Sequence, residues 1–276
     1  MKRILIADSS ADLNPALTER LNVRHVPFPI NVGGKEYLDD GSMDIPEFIQ
    51  TVKASSEAAK TAAPPPAGFE AAMEDAEESF IVTISSKLST TYVNACLAAR
   101  EVMEKGLRRV HVFDSRSASV GETAVCAKLR EWMDAGLGFD EIVRRGEAFI
   151  ESLHTYFVLE DLSTLVKAGR IPKLAGKLAK RLSIVPVCAG IQGEIKVHEI
   201  KRGVKSALNR MSAAIGESLK DFSDRTLYIA HVNCPERAEE VRGLVLEKAN
   251  FADCQIVAAR GLSTTYANDG GIIVAY

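Results

Sequence analysis

The chain has 276 residues, with 34 lysines and arginines against 37 aspartates and glutamates, for a formal net charge of -3 with histidines neutral. This balance lacks the basic excess of nucleic-acid-binding proteins, so we expect no nucleic-acid partner. A chain of this length favours two domains, although one large α/β domain stays open.

Segments that direct a protein to a membrane or to secretion are not evident. No run approaches the roughly 18 apolar residues of a membrane span, and MKRILIAD holds only four apolar residues between its basic start and Asp8. The five cysteines are scattered, without a CxxC pair or metal-binding spacing, as in a reducing compartment. We therefore expect a cytoplasmic protein.

In the first half, short apolar runs alternate with segments of helical period, which is typical of parallel β-α units. Helices are predicted at Val120 to Met133 and at Phe139 to Leu153. Each predicted strand ends in hydroxyl or acidic residues, and the carboxyl ends of parallel strands face a common crevice where ligands bind. The predicted strands are RILIAD, FIVTIS and RVHVFDS.

The second half contains closely spaced strands. Only Ile191-Gln192 separates SIVPVCAG from GEIKVHEI, which predicts an antiparallel hairpin. We predict an α/β protein with a Rossmann-like parallel-sheet domain in residues 1–153 and an α+β domain with a mainly antiparallel sheet in residues 154–276. Clefts between two docked domains are favoured ligand sites. Helices are predicted at Pro172 to Arg181, Val204 to Leu219 and Pro235 to Ala249.

Sequence motifs of phosphate binding and hydrolysis are absent. The chain contains no GxxxxGK[ST], no GxGxxG after the first strand, no GxSxG and no HExxH. We therefore expect no cofactor and no metal, and we interpret the five histidines as surface or satisfied core residues. Asp8 and Asp114, at strand ends, are interpreted either as acids or metal ligands of an enzyme or as helix caps.

The stretch ISSKLSTTY, Ile84 to Tyr92, contains six hydroxyl side chains within residues 85–92, between a predicted strand and a predicted helix. At such a junction, hydroxyls lie beside unpaired backbone N–H groups and the positive end of the helix dipole, where an anion is favoured. Alternatively, Ser89 or Thr90 merely caps the helix. Both interpretations stay open on these residues alone.

Seven stretches resemble, in the same order, the DegV family of bacterial fatty acid-binding proteins along nearly the full chain. The resemblance implies that a long-chain fatty acid lies in a buried tunnel between a Rossmann-like and an α+β domain. It further implies that the chain is not an enzyme but the lipid-binding subunit of a two-component fatty acid kinase. The partner kinase brings ATP and converts the presented carboxylate to acyl phosphate, which feeds phospholipid synthesis. The stretches are DSSADL, YLDDG, TAAPPPAGF, ISSKLSTTY, VFDSRSASVG, LSTLVKAGRI and GLSTTYANDGG.

The resemblance also assigns residues. It implies that Thr61 and Ser89 hold the fatty acid carboxylate, with Thr90 and Tyr266 beside them, although the family usually has Gly and His at these last two positions. Arg170, in KAGRI, is implied to face the kinase or the ligand entrance. The predicted helix PKLAGKLAKRL is basic on one side and apolar on the other, so it is a candidate for transient contact with a membrane surface.

A stand-alone hydrolase or phosphotransferase is the second hypothesis. It would use Asp8, Asp114 and a serine at a strand end. Such an enzyme needs a base within hydrogen-bond reach of its serine, and no histidine lies in a motif that supplies one. We favour the lipid-binding subunit, since a protein that presents a carboxylate to a kinase needs no phosphate loop of its own.

Overall fold

The computed structural model describes residues 2–106, 108–171 and 184–276. The helix predicted at Pro172 to Arg181, together with its predicted membrane contact, lies outside the described residues. In the described ranges, no helix combines the length and apolar character that crossing a bilayer requires.

The described elements alternate between strands and helices along most of the chain. The strands are β1 (Arg3–Asp8), β2 (Val23–Val26), β3 (Pro29–Val32), β4 (Lys35–Leu38), β5 (Lys60–Thr61), β6 (Glu78–Thr83), β7 (Arg109–Asp114), β8 (Thr155–Val158), β9 (Ile184–Ile191), β10 (Glu194–Arg202), β11 (Thr226–His231), β12 (Asp253–Ala258) and β13 (Ile272–Ala275). The helices are α1 (Pro15–Leu21), α2 (Ile45–Ala54), α3 (Pro66–Ala72), α4 (Thr91–Glu104), α5 (Val120–Asp134), α6 (Phe139–Glu151), α7 (Ser163–Lys167), α8 (Val204–Ser218), α9 (Pro235–Leu246) and α10 (Gly261–Ala267).

The first sheet is parallel and four-stranded, in the order β2-β1-β6-β7. All of β6 is buried, because side chains of α3 and α4 cover one face of the sheet and those of α1, α5 and α6 cover the other. Because these strands are parallel, the carboxyl ends of β1, β6 and β7 lie at one edge of this sheet. Asp8 is the last residue of β1, and Ile84 and Ser115 directly follow β6 and β7.

The second sheet is six-stranded, in the order β10-β9-β8-β13-β11-β12, and only its β11–β12 pair is parallel. The predicted fold class, a parallel sheet followed by a mainly antiparallel one, is confirmed. The predicted hairpin is also confirmed, since β9 and β10 pair antiparallel. Its turn residues Gln192 and Gly193 have φ of 50° and 83°, as a two-residue type I′ turn requires.

A third sheet has the order β4-β3-β5, and the sequence pattern does not predict it. Its strands have four, four and two residues, too few to show a strand periodicity in the sequence. In this sheet Ile30 of β3 pairs with Thr61 of β5. The small sheet therefore fixes the position of Thr61, which the resemblance assigns to the site.

Helix α5 packs between the two larger sheets. Its core cluster includes Leu5 and Phe80 of the parallel sheet, and also Tyr228 and Ala275 of the mixed sheet. In chain order, β7 is the last strand of the parallel sheet and β8 is the first strand of the mixed sheet. The division into domains at residues 1–153 and 154–276 stays a proposal, because this cluster contains side chains from both parts.

Candidate functional site

A cavity of about 270 Å³ lies where loops of the first part meet β8, β9 and α10. Its walls include all five residues that the family resemblance assigns to the site. The cavity thus brings together side chains from four separate stretches of the sequence. The five residues are Thr61, Ser89, Thr90, Arg170 and Tyr266.

Much of the cavity wall is apolar. Phe28 and Ile84 line it from the first part of the chain, and Phe157, Leu159 and Leu262 line it from the second. Phe28, Ile84 and Leu262 form one buried cluster, against which Tyr266 packs. An apolar wall of this kind favours a ligand with a hydrocarbon portion, because its burial removes apolar surface from water.

Thr61 and Tyr266 form a hydroxyl pair on this wall. Thr61 Oγ1 lies 2.7 Å from the Tyr266 hydroxyl oxygen, and either group can donate. Thr61 ends the short strand β5, and Tyr266 is the sixth residue of α10. One hydroxyl donates to the other, so the accepting hydroxyl keeps its own O–H for a ligand.

Ser89 and Thr90 stand at the start of α4. Thr90 is the residue that precedes the first turn, but its side chain makes no capping hydrogen bond. Ser89 Oγ lies 2.8 Å from Thr91 Oγ1 and accepts a hydrogen bond from the Thr91 N–H at 3.3 Å. Ser89 therefore orders the start of the helix and lines the cavity as well, while Thr90 caps nothing.

Other hydroxyls of the ISSKLSTTY stretch have protein partners. Ser85 Oγ donates to the carbonyl of Gly193 in the β9–β10 turn, at 2.8 Å, and Ser86 Oγ donates to Asp114 Oδ2 at 2.5 Å. Four residues of this stretch line the cavity: Ile84, Leu88, Ser89 and Thr90. Ser85 and Ser86 therefore hold loops in place and are not among the residues that line the cavity.

Two arginines line the cavity on its exposed side. Arg170 is exposed, and its Nη1 donates to the carbonyl of Ala168 at 2.9 Å. Arg116 is also exposed, in a left-handed conformation with φ of 51°. Sequence reasoning missed Arg116, although it lies in VFDSRSASVG, one of the seven matching stretches. Both guanidinium groups are accessible to an anion or an acidic partner.

A further set of hydroxyls lines the wall, and the sequence alone does not assign them to the site. Ser117 Oγ lies 2.7 Å from Thr155 Oγ1, and Ser119 Oγ donates to Asp12 Oδ2 at 2.5 Å. These hydroxyls already have protein partners, in contrast to Thr90. The serine-rich stretch VFDSRSASVG indicates that hydroxyls cluster here, but it does not show which residues they bond to.

Buried carboxyls surround the strand ends behind the wall. Asp8 accepts hydrogen bonds from the N–H groups of Ser10 at 2.9 Å and Ile84 at 2.8 Å. Burial raises the pKa of Asp8 to about 7 and that of Asp12 to about 6, and it raises the pKa of Glu122 well above its ordinary value. The interpretation of Asp8 as a helix cap is wrong, because this carboxyl holds the loop after β6.

Asp114 has a similar structural role. Its Oδ1 accepts from the N–H groups of Ser86 at 3.0 Å and Arg116 at 3.1 Å, so it orders the loop after β7 rather than capping a helix. In the described ranges, no group of three or more His, Cys, Asp or Glu is arranged to hold a metal ion. Asp8 and Asp114 thus have hydrogen-bonding roles in loops.

The histidines lie away from the cavity wall as far as the structure describes it. His111 Nε2 lies 2.8 Å from Glu147 Oε1, and His231 Nδ1 accepts from the Cys234 N–H at 3.3 Å. His154 stacks on Tyr276 with ring centres 5.2 Å apart. Among the described lining residues, the serines have no imidazole beside them to act as a base.

Solved structures similar to this chain share its whole fold. A DegV family protein from Ruminococcus gnavus, refined with vaccenic acid, is 38% identical, with a TM-score of 0.95 and 99% of both chains covered. The fatty acid kinase (Fak) B3 protein of Streptococcus pneumoniae, loaded with linoleic acid, is 30% identical. Its TM-score is 0.91, with 100% of this chain and 99% of that chain covered.

Sequence comparison agrees with the structural comparison. A DegV domain-containing protein of Streptococcus pneumoniae is 32% identical over 276 residues, which cover 99% of this chain and 98% of that protein. Residues 2–276 match the family described as "Uncharacterised protein, DegV family". The chain therefore belongs to the DegV family, as its seven matching stretches predict.

Proposed function

We propose that the protein binds a long-chain fatty acid in the cavity and presents its carboxylate to a separate, ATP-dependent kinase. The kinase then forms acyl phosphate for phospholipid synthesis. The observation that carries this proposal is an apolar cavity whose wall includes the Thr61–Tyr266 hydroxyl pair and Ser89. Similar structures hold vaccenic and linoleic acid, which supports the same class of ligand here.

Burial of the hydrocarbon chain supplies the affinity. About fifteen methylenes at roughly 0.8 kcal/mol each give on the order of 12 kcal/mol before the costs of binding are subtracted. Side chains such as Phe28, Phe157 and Leu159 provide the apolar contact. The acyl chain therefore accounts for tight binding, and the polar groups determine which end of the ligand lies where.

The carboxylate needs hydrogen-bond donors, because an unpaired buried charge costs several kcal/mol. The Thr61–Tyr266 pair offers one free O–H, whichever hydroxyl donates within the pair. Ser89 can accept from both the N–H and the hydroxyl of Thr91, which leaves its own O–H for the ligand. Thr90 adds a hydroxyl without a capping bond. These groups together replace water around the anion.

The exposed arginines Arg170 and Arg116 mark the side from which a ligand or kinase reaches the cavity in this proposal. Both combine exposure to solvent with a place on the cavity wall. A guanidinium attracts anions and pairs with phosphate or carboxylate groups. We assign Arg170 to the ligand entrance or to the kinase-facing surface, in a cytoplasmic protein that supplies no catalytic group.

Native mass spectrometry of the purified protein, before and after solvent extraction, tests the ligand. We expect the mass of one long-chain fatty acid per chain, and uptake of added oleic acid by the extracted protein. Adding ATP with and without a fatty acid kinase then tests the role as a subunit. Acyl phosphate should form only with the kinase, and its formation by this chain alone would favour the stand-alone enzyme.

A further inference from the structure

Asp39 holds the beginning of the helix that carries Tyr266. Its side chain is 1% exposed, and its two carboxyl oxygens accept from the N–H groups of Gly261 at 3.0 Å and Leu262 at 2.9 Å. These are the first two residues of α10, whose N–H groups have no acceptor within the helix. Arg260 Nη2 donates to the Asp39 carbonyl at 3.2 Å. Asp39 thus accepts from two backbone N–H groups at the start of α10.

Asp39 is equally fixed to the small sheet that carries Thr61. Its N–H donates to the carbonyl of Phe28 at 3.0 Å, directly after β4 pairs with β3. Strand β3 pairs in turn with β5, where Ile30 lies opposite Thr61. A short chain of backbone hydrogen bonds therefore joins Asp39 to Thr61, while its carboxyl joins it to the helix of Tyr266.

The contact between Asp39 and α10 leaves no room for a side chain at Gly261. A Cβ at this position would lie 2.9 Å from Asp39 Oδ1 and 2.9 Å from Met43 Cε. Such a distance forces one of the groups to move, and Asp39 has little room to do so because it is buried. Burial also raises the pKa of the Asp39 carboxyl, against the N–H groups and the Arg260 charge that lower it.

We propose that Asp39 is a positioning residue that holds Tyr266 against Thr61 and thereby sets the affinity of the cavity for a fatty acid carboxylate. Its effect on affinity rests on the proposed function, whereas its effect on α10 rests on the hydrogen bonds alone. Asp39 is not among the residues that line the cavity, so it acts through Tyr266 and not on the ligand.

The first test compares Asp39→Asn with Asp44→Asn. An amide at position 39 presents one oxygen and one NH₂ group to two N–H donors, so one of these donors loses its acceptor. We expect the Kd for oleic acid to rise by up to about fivefold in Asp39→Asn, because a misplaced Tyr266 hydroxyl loses at most its one hydrogen bond to the ligand. Asp44 caps α2 through the Glu47 N–H at 2.9 Å, and Asn is also a good cap, so its variant should change the Kd less than twofold.

A double-mutant cycle separates positioning from general loosening. If Asp39 acts by placing the Tyr266 hydroxyl, then Asp39→Asn should change the Kd less than twofold in a Tyr266→Phe background. An equal rise in the Kd in both backgrounds would overturn the proposal. Gly261→Ala disturbs the same contact from the helix side, and we expect its effect on the Kd to shrink in the Tyr266→Phe background as well.

Amide hydrogen exchange separates this proposal from the proposed function. Exchange within residues 261–267 should rise in Asp39→Asn but stay at the wild-type rate in Asp44→Asn, with or without fatty acid. A wild-type protein that binds no fatty acid would overturn the proposed function, and exchange in α10 would then still decide whether Asp39 holds the helix. Unchanged exchange in Asp39→Asn, or unchanged affinity while wild type binds, would overturn the role of Asp39.

Discussion

Thr61 and Tyr266 are 205 positions apart in the chain, and their hydroxyl oxygens lie 2.7 Å apart on the cavity wall. The contact joins a two-residue strand of the small sheet to the penultimate residue of α10. Because each hydroxyl is held by the other, the pair has a defined orientation before a ligand arrives. In the carboxylate site that we propose, this long-range contact orders the hydroxyls in advance, so little side-chain entropy is lost on binding.

Tyr266→Phe should weaken fatty acid binding by about 1 kcal/mol, or roughly fivefold in Kd, because one hydrogen-bond donor is lost. Tyr276→Phe is the matched control, since the Tyr276 hydroxyl also lies 2.7 Å from a hydroxyl, that of Ser218, away from the cavity wall. The control should lower thermal stability and leave the Kd unaltered. Isothermal titration with oleic acid measures both variants, and equal effects in the two would remove Tyr266 from the site.

Tyr266→His should make affinity depend on pH. An imidazole near the carboxylate takes up a proton on the acid side of neutral and then pairs with the anion as a charge. Relative to wild type, the variant should therefore bind more tightly at pH 6 than at pH 8. Titrations with oleic acid at several pH values measure this difference. If the ratio of the variant's Kd to the wild-type Kd is the same at every pH, residue 266 lies away from the carboxylate.

Ser89→Ala should weaken fatty acid binding by about 1 to 3 kcal/mol, since a buried polar partner is left unsatisfied. The fatty acid-free protein should lose less stability, because the helix loses only the contacts of Ser89 with Thr91. Ser86→Ala is the control from the same loop, and its hydroxyl bonds to Asp114. If Ser89→Ala destabilises the free protein and binds with wild-type affinity, Ser89 is only a structural residue at the start of α4.

The sequence predicts long elements better than short ones. RILIAD is predicted as a strand and forms β1 with the same bounds, Arg3–Asp8, because its apolar run is continuous. The β9–β10 hairpin is predicted by its short connection. The small sheet escapes prediction because its pairing of Ile30 with Thr61 is a long-range contact between short strands, and nothing local signals it.

Prediction of the site likewise succeeds where a sequence motif is present and fails where a contact with a distant element decides. Family resemblance identifies Thr61, Ser89, Thr90, Arg170 and Tyr266, and the structure brings all five to one cavity. Composition alone treats every hydroxyl of ISSKLSTTY alike. The difference arises from partners on distant elements, since Ser85 bonds to the β9–β10 turn and Ser86 bonds to Asp114 at the end of β7.

The buried carboxyl of Glu122 should give stability a distinct pH dependence. Burial, and then repulsion by Asp8, raises the pKa of Glu122, so the folded state keeps a proton that the unfolded state releases above about pH 4.3. Folding stability of the wild type should therefore fall relative to Glu122→Gln as pH rises above this value, by up to about 1.4 kcal/mol per pH unit.

Urea unfolding of both proteins between pH 4 and pH 7 measures this difference. Glu240→Gln, on the exposed surface of α9, serves as the control for replacing a carboxyl by an amide. The unfolding free energies of wild type and Glu122→Gln should diverge as pH rises. Parallel stability curves would mean that Glu122 releases its proton in the folded state as readily as in the unfolded chain.

In the proposed complex, the cavity holds a fatty acid with its carboxylate at the hydroxyls of Thr61, Ser89 and Tyr266. A crystal structure of the extracted protein with added oleic acid shows directly where the carboxylate lies. We expect carboxylate oxygens within about 3 Å of these hydroxyls, with the acyl chain against Phe28 and Phe157. A carboxylate at Ser117, Ser119 and Thr155 instead, or an oleic acid bound outside the cavity, would overturn the proposed binding mode.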